Sequence, residues 1–191
     1  MKAMRCPTCK EDMGRTTGRY QYRDCGLDNV WLVNWEMFSC PKCHLRMPIL
    51  PGGEQMKHAI VRELVLDHGR LCGDAIVYLR KAMGLKGAEL AEILEVNRVT
   101  LSRWENDNQP IDGFAEFKLR MEVIDRVLPT HEQRSVRDKV SIVMQRGYRP
   151  EKTVGTISLD ASVAATEFVA KLLLDLGRGL GLGLRLTPLH R

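Results

Sequence analysis

Long apolar runs are missing from this 191-residue sequence, in which no stretch approaches the roughly 18 consecutive apolar residues of a membrane span. Residues 1–10 are basic, but no apolar run follows them as it would in a signal peptide. We therefore expect a protein of the reducing cytoplasm that does not enter a membrane. The sequence also has no repeat of fixed period, which excludes solenoid and fibrous classes.

Patterns of catalytic residues are missing as well. No spacing supports a Ser-His-Asp triad, a Cys-His pair or paired carboxylates. No glycine-rich phosphate loop follows a predicted strand, because the alternating Gly and Leu residues near the C-terminal end follow a predicted helix instead. We therefore expect that the protein is not an enzyme.

The charge is distributed unevenly along the chain, whose formal net charge is +5. Residues 1–53 carry 8 basic and 5 acidic side chains, residues 54–128 carry 11 and 13, and residues 129–191 carry 10 and 6. A mild basic excess permits contact with nucleic acid, whereas the acidic middle segment argues against tight non-specific DNA binding.

Cysteine spacing indicates a metal site in the first 50 residues. Four of the six cysteines form two Cys-x-x-Cys pairs with a proline at the second position of each, which pre-sets a tight turn. Such turns direct two sulfurs at one ion, and zinc is the metal that four thiolates bind most often. We predict one structural zinc ion per chain, held by Cys6, Cys9, Cys40 and Cys43, whereas Cys25 and Cys72 are expected to be inert.

Two alternatives to zinc stay open. The pairs could be unrelated buried or redox-active cysteines, or they could hold iron as in rubredoxin-like electron carriers. Rubredoxin-like sites usually have glycine after the second cysteine of each pair, where this sequence has Lys10 and His44. This difference favours zinc.

The residues between the cysteine pairs have the pattern of β-strands. Tyr20 and Tyr22 alternate with polar residues, turn residues occupy 26–29, and β-branched and aromatic residues are frequent over 30–38. Together with the cysteines, this segment resembles the zinc-binding N-terminal domain of the MqsA (YgiT-type) antitoxins and related regulators. The resemblance implies that the same four cysteines hold zinc.

Residues 85–106 have the pattern of two short helices joined by a tight corner, after the breaker-rich linker 48–53. Asn97 is a suitable N-cap for the second helix, and Ala91 is small enough for a close helix crossing. The core-facing apolar residues are predicted to be Leu90, Val96, Leu101 and Trp104. The second helix then presents Arg98, Val99, Ser102 and Arg103 to solvent, with Thr100 on its flank.

This stretch resembles the Xre (phage-repressor-like) helix-turn-helix family through the frame Leu-Ala…Leu-x-Val…Leu-Ser-Arg-Trp-Glu-Asn. The resemblance implies that Arg98, Val99 and Arg103 read bases and that Lys86 contacts backbone phosphate. Gly87 stands where the family often has glutamine, which puts one phosphate contact in doubt. Glu95 stands at the usual glycine of the turn and is strained if its φ is positive.

The last third of the chain resembles no family. A helix is expected over about 130–146, a short strand over 153–159, and an amphipathic helix from Asp160 onward. The apolar stripe of that last helix packs on the protein's own core or on a dimer partner. The Gly/Leu-rich tail from residue 177 is expected to be mobile.

These observations predict an α+β protein with three parts. A small zinc-bound antiparallel β domain (1–53) precedes an all-α helix-turn-helix domain (54–128) and a mainly helical C-terminal extension (129–191). The order of the first two domains matches the MqsA type. Residues expected to contact DNA are Lys86, Asn97, Arg98, Val99, Thr100, Ser102 and Arg103.

We therefore predict a cytoplasmic, homodimeric repressor that binds a palindromic site on double-stranded DNA. If the antitoxin resemblance holds fully, the zinc domain binds a toxin protein and the chain represses the shared operon. Two further hypotheses are a stand-alone regulator without a toxin, and a protein-binding module that does not bind DNA.

Overall fold

The computed structural model describes residues 4–161. Its N-terminal part is an antiparallel sheet of β1 (Met4–Arg5), β2 (Asp12–Gln21), β3 (Val30–Ser39) and β4 (Arg46–Pro48), in that order. Buried residues alternate along β3, where Val30, Leu32, Trp35 and Met37 face inward. The register changes near Asn34, whose φ of 52° lies in the left-handed region.

Six α-helices follow within the described residues. They are α1 (Gly53–Leu66), α2 (Gly73–Ala82), α3 (Gly87–Ile93), α4 (Arg98–Glu105), α5 (Gly113–Val127) and α6 (Thr130–Ile142). The predicted α+β class, with a cysteine-bearing antiparallel sheet before a helical region, is confirmed. None of these helices combines the length and the hydropathy needed to cross a bilayer.

The segment after α6 departs from the expected single strand over 153–159. A single π-helical turn (Val143–Gly147) leads into β6 (Arg149–Thr153), which pairs in parallel with β5 (Gly69–Arg70). After a break at 154–156, β7 (Ile157–Asp160) pairs in parallel with Val30–Val33 of β3. The two strands have different partners, so the prediction of a single strand over 153–159 is wrong. The predicted amphipathic helix and tail lie outside the described residues.

The main hydrophobic core is continuous from the sheet to the helices. It includes Leu32 of β3, Leu64 of α1, Leu79 of α2 and Leu119 of α5. A second, much smaller core lies at the far end of the sheet around Cys6, Met13 and Cys40. The division into three domains at residues 53 and 128 stays a prediction. The main core contains residues from both sides of each boundary.

A buried ion pair lies where the helices meet the C-terminal segment. Arg120 and Glu116 of α5 are both 0% exposed, and the Arg120 Nη2 to Glu116 Oε1 distance is 2.6 Å. Arg120 also donates to the backbone oxygens of Val65, Asp67 and Gly69 at 2.6–2.8 Å. Val65 lies in the last turn of α1, and Asp67 and Gly69 follow that helix. A cation at a helix C-terminus is favourable. The buried Arg120 guanidinium therefore has both a carboxylate and backbone oxygens as partners.

Glu116 uses its second oxygen and its remaining acceptor capacity within the same network. Oε1 accepts from the Leu71 N–H at 3.1 Å, and Oε2 accepts from the Tyr148 hydroxyl at 2.5 Å. Burial, followed by this hydrogen bond, raises the pKa of Tyr148 well above its usual range, so the phenol stays a donor. The carboxylate therefore fastens the segment after α6 to α5.

We predict that Arg120→Ala lowers the free energy of unfolding by about 3–5 kcal/mol, because it leaves the Glu116 carboxylate buried without a cation. Urea unfolding followed by circular dichroism measures the change. Arg126→Ala is the matched control, since Arg126 lies on the same helix in an exposed i,i+4 pair with Glu122 and should cost about 0.5 kcal/mol or less. Equal effects of the two substitutions would contradict a structural role for the buried pair.

Candidate metal centre and nucleic-acid interface

The two Cys-x-x-Cys turns have the same backbone geometry at one end of the sheet. In the first turn the Lys10 N–H donates to the Cys6 oxygen at 3.0 Å, and in the second the His44 N–H donates to the Cys40 oxygen at 3.0 Å. Lys10 and His44 both have left-handed backbones, with φ values of 64° and 58°. Each turn therefore closes in the same way between two antiparallel strands.

The four predicted ligands come together. All four Sγ atoms of Cys6, Cys9, Cys40 and Cys43 lie within 4.8 Å of one another. Two of the distances are 3.4 Å (Cys6 to Cys43) and 3.3 Å (Cys9 to Cys40). Sulfurs around a tetrahedral ion with bonds of about 2.3 Å lie about 3.8 Å apart, so the donor set fits a four-thiolate metal site.

Backbone N–H groups favour the thiolate form at two of the four ligands. The Cys9 N–H lowers the pKa of the Cys6 thiol to about 6, and the Cys43 N–H likewise lowers the pKa of the Cys40 thiol, whereas the neighbouring sulfurs raise the pKa of Cys9 and of Cys43. Cys25 lies outside this cluster, and burial raises its pKa. The site thus brings four sulfur ligands together, and backbone N–H groups stabilise the thiolate form of Cys6 and Cys40.

The geometry does not distinguish zinc from iron. Lys10 and His44 do not favour zinc over iron, because both residues adopt the left-handed conformation that glycine would supply. Four thiolates bind either metal. The structure therefore establishes a possible metal-binding cluster and leaves the identity of the ion as a proposal.

We predict that the purified protein contains one metal ion per chain, and that Cys40→Ser lowers its metal affinity by at least about 100-fold, because a ligand is lost. Elemental analysis and competition with a chelator measure stoichiometry and affinity. Cys25→Ser is the control and should retain the ion. One zinc per chain supports the zinc prediction, whereas a red protein with one iron overturns it. Full metal binding by Cys40→Ser would contradict the four-cysteine site.

The helix-turn-helix elements lie where the sequence places them. Leu90, Leu101 and Trp104 are at most 2% exposed, as predicted for the apolar contacts beneath both helices, and Val96, the fourth residue predicted there, is partly buried against the same core. Ala91, the small residue of the helix crossing, is 2% exposed. The Asn97 side chain accepts from the Thr100 N–H at 2.7 Å and so caps α4. These contacts fix α4 against α3 and leave its other side open.

The corner between α3 and α4 contains the strained position that the sequence predicts. Glu95 has a φ of 58°, in the left-handed region where glycine is usual. Its carboxylate accepts from the Lys118 ammonium at 2.5 Å, which lowers the Glu95 pKa. This contact draws an acidic group of the corner toward α5.

Two acidic side chains of the helix-turn-helix domain, Glu105 and Glu89, accept hydrogen bonds from different kinds of donor. Glu105, at the end of α4, accepts from Arg80 of α2 at 2.6 Å, and Arg80 also donates to the Leu85 oxygen at 3.1 Å. Sequence reasoning missed this pair, because the two residues are 25 positions apart and belong to no local motif. The Glu89 carboxylate is used locally, where it accepts from the Lys86 N–H at 2.6 Å.

The predicted DNA-contacting face is accessible. Arg98, Val99, Ser102 and Arg103 are exposed, and Val99 is 60% exposed although it is apolar. Among residues 4–161, no side-chain hydrogen bond or ion pair engages the guanidinium group of Arg98 or of Arg103. Thr100 is half-buried on the flank of the helix, as expected.

The remaining predicted contacts lie at helix starts. Lys86 is exposed at the N-cap of α3, and Asn97 is exposed at the N-cap of α4. The structure thus brings the seven predicted residues to two neighbouring helices. Their role in DNA binding stays a prediction.

Comparison with known proteins agrees with this geometry. Residues 76–113 match the family model described as helix-turn-helix. This segment is an Xre-type helix-turn-helix domain. The match begins in α2, includes α3 and α4, and ends at the start of α5. No curated protein and no solved structure matches the chain. The helix-turn-helix domain supports a DNA-binding transcription regulator as the broad functional class.

Proposed function

We propose that this protein is a homodimeric transcriptional repressor of the cytoplasm that binds a palindromic operator through α4. The observation that carries the proposal is the pair of guanidinium groups of Arg98 and Arg103 on an exposed face of an Xre-type helix-turn-helix domain, where neither has a side-chain hydrogen bond or ion pair within residues 4–161. Arginine binds guanine through two hydrogen bonds in the major groove, and the methyl groups of Val99 suit contact with thymine.

The dimensions of α4 suit this role. Its eight residues span about 12 Å, and residues 98, 99, 102 and 103 share one face at helical spacing. In a two-fold dimer, two copies of the helix enter successive major grooves about 34 Å apart. The net charge of residues 54–128 matters less than the charge of this face, on which Arg98 and Arg103 are exposed. The carboxylates of Glu95 and Glu105 are instead paired with Lys118 and Arg80.

We predict that Arg103→Ala weakens binding to the operator by about 1–3 kcal/mol and relaxes the preference at one base pair, because a bidentate contact is lost. Genomic footprinting identifies the operator, and fluorescence anisotropy measures the affinity. Arg19→Ala, which removes the same charge from the N-terminal sheet, should leave the affinity unchanged.

The salt dependence supplies a second criterion. The logarithm of the affinity of a DNA reader falls linearly with the logarithm of salt concentration, with a slope set by its phosphate contacts. An unchanged affinity in Arg103→Ala would refute α4 as the reading helix. Absence of any salt-dependent DNA binding would favour the protein-binding module.

We further propose an antitoxin of the MqsA type, in which the N-terminal domain binds a toxin ribonuclease and the chain represses the shared operon. Two features support this: the cysteine-bearing sheet resembles the zinc domain of that family, and it precedes the helix-turn-helix domain in the same order. In this proposal the four-cysteine cluster is a structural zinc site within the N-terminal docking domain. The protein then has no catalytic activity of its own.

We predict that a toxin-sized reading frame adjacent to this gene arrests growth when expressed alone, and that co-expression of this chain restores growth by direct binding. Colony counts and co-purification measure the two effects. Arg103→Ala should still neutralise, because the change lies outside the docking module. An absent or harmless neighbouring frame would favour the stand-alone regulator.

A further inference from the structure

Val99 lies between two arginines on the exposed face of α4. Its side chain is 60% exposed although it is apolar, and Arg98 and Arg103 are exposed on the same face. Within residues 4–161, neither guanidinium group has a side-chain hydrogen bond or ion pair. The face therefore offers two cationic donors with an aliphatic group between them, and none of the three side chains is buried in the core.

Val99 and Arg103 form a closer pair than Val99 and Arg98. Residues four positions apart in a helix lie one above the other, with Cβ atoms about 5–6 Å apart, whereas adjacent residues diverge around the helix axis. A valine in a helix has one strongly preferred χ1 rotamer. The two methyl groups of Val99 are therefore held in fixed positions beside the Arg103 side chain before any ligand binds.

The major groove of DNA presents a target that suits such a pair. Guanine displays O6 and N7, which accept two hydrogen bonds from one arginine, and the C5 position of a pyrimidine faces the same groove. Neighbouring base pairs are about 3.4 Å apart along the duplex, so adjacent bases are within reach of side chains one helical turn apart. Val99 has no hydrogen-bonding group in its side chain, so it can recognise a methyl group at C5 but not the exocyclic groups that distinguish thymine from cytosine.

We propose that Val99 and Arg103 together read a 5-methylpyrimidine followed directly by guanine. Arg103 binds O6 and N7 of the guanine, and Val99 contacts the 5-methyl group of the preceding base. That methyl group belongs to thymine in a TpG step and to 5-methylcytosine in a methylated CpG step. Cytosine methylation at such a step therefore raises the affinity for the operator. The inference rests on the proposed function, because α4 must enter the major groove.

The methyl contact is tested with the full-length protein and synthetic duplexes of the footprinted operator, whose sequence shows whether the step is TpG or CpG. In a TpG operator, deoxyuridine in place of thymidine removes the methyl group alone and should weaken binding about fourfold per half-site. In a CpG operator, the 5-methylcytosine duplex should bind about fourfold more tightly than the unmethylated duplex. Fluorescence anisotropy measures both ratios. Deoxyuridine outside the footprint is the control and should leave the affinity unchanged.

Val99→Ala should reduce either ratio to less than about twofold, because the shorter side chain loses its contact with the methyl group. The substitution is suited to the test, since Val99 is exposed and alanine favours a helix. Ile142→Ala is the matched control, because it shortens another exposed aliphatic side chain, 57% exposed and located on α6. This variant should keep the fourfold ratio.

Equal affinities for duplexes with and without the methyl group overturn the inference, as does a fourfold ratio that survives in Val99→Ala. An operator whose half-sites contain neither a TpG nor a CpG step overturns it as well. Each of these results leaves the proposed function intact, because specific DNA binding is still measured. Absence of specific binding to any DNA overturns the proposed function and the inference with it.

Discussion

A carboxylate and a guanidinium without solvent exposure join the separate parts of this molecule. The Arg120 side chain is bound by backbone oxygens at the end of α1 and in β5, and Glu116 accepts from the backbone of residue 71 and from Tyr148. Neither charge is tolerable alone in a low-dielectric core. The end of α1, the β5 strand and the segment before β6 must therefore close on α5 together.

The parts that sequence reasoning predicts well are those specified by local chemistry. The cysteine turns follow from spacing and proline, and the start of α4 follows from the capping ability of Asn97. The apolar spacing of α3 and α4 also determines which face stays exposed, because Leu101 and Trp104 must be buried together. The positive φ of Glu95 is a further local feature that the helix-turn-helix resemblance makes visible.

Features that depend on distant pairing escape the same reasoning. The parallel addition of β7 to β3 joins residues such as Asn29 and Gly155, which are hydrogen-bonded at 2.7 Å across 126 positions. The buried charges of α5 look like an ordinary exposed i,i+4 pair in the sequence, and only the surrounding carbonyl groups reveal their burial. Lys10 shows that residue type can also mislead, because it stands where glycine is usual and nonetheless adopts the left-handed conformation.

The pairing of β7 with β3 has a consequence for the order in which the chain matures on the ribosome. Residues 30–33 are synthesised early, but their neighbour in the sheet is complete only when residue 160 has been added. Until then one edge of β3 exposes unpaired backbone groups, which is the feature that promotes wrong strand pairing in nascent chains. Early metal capture by the cysteine turns would hold the other end of the sheet in register during this interval.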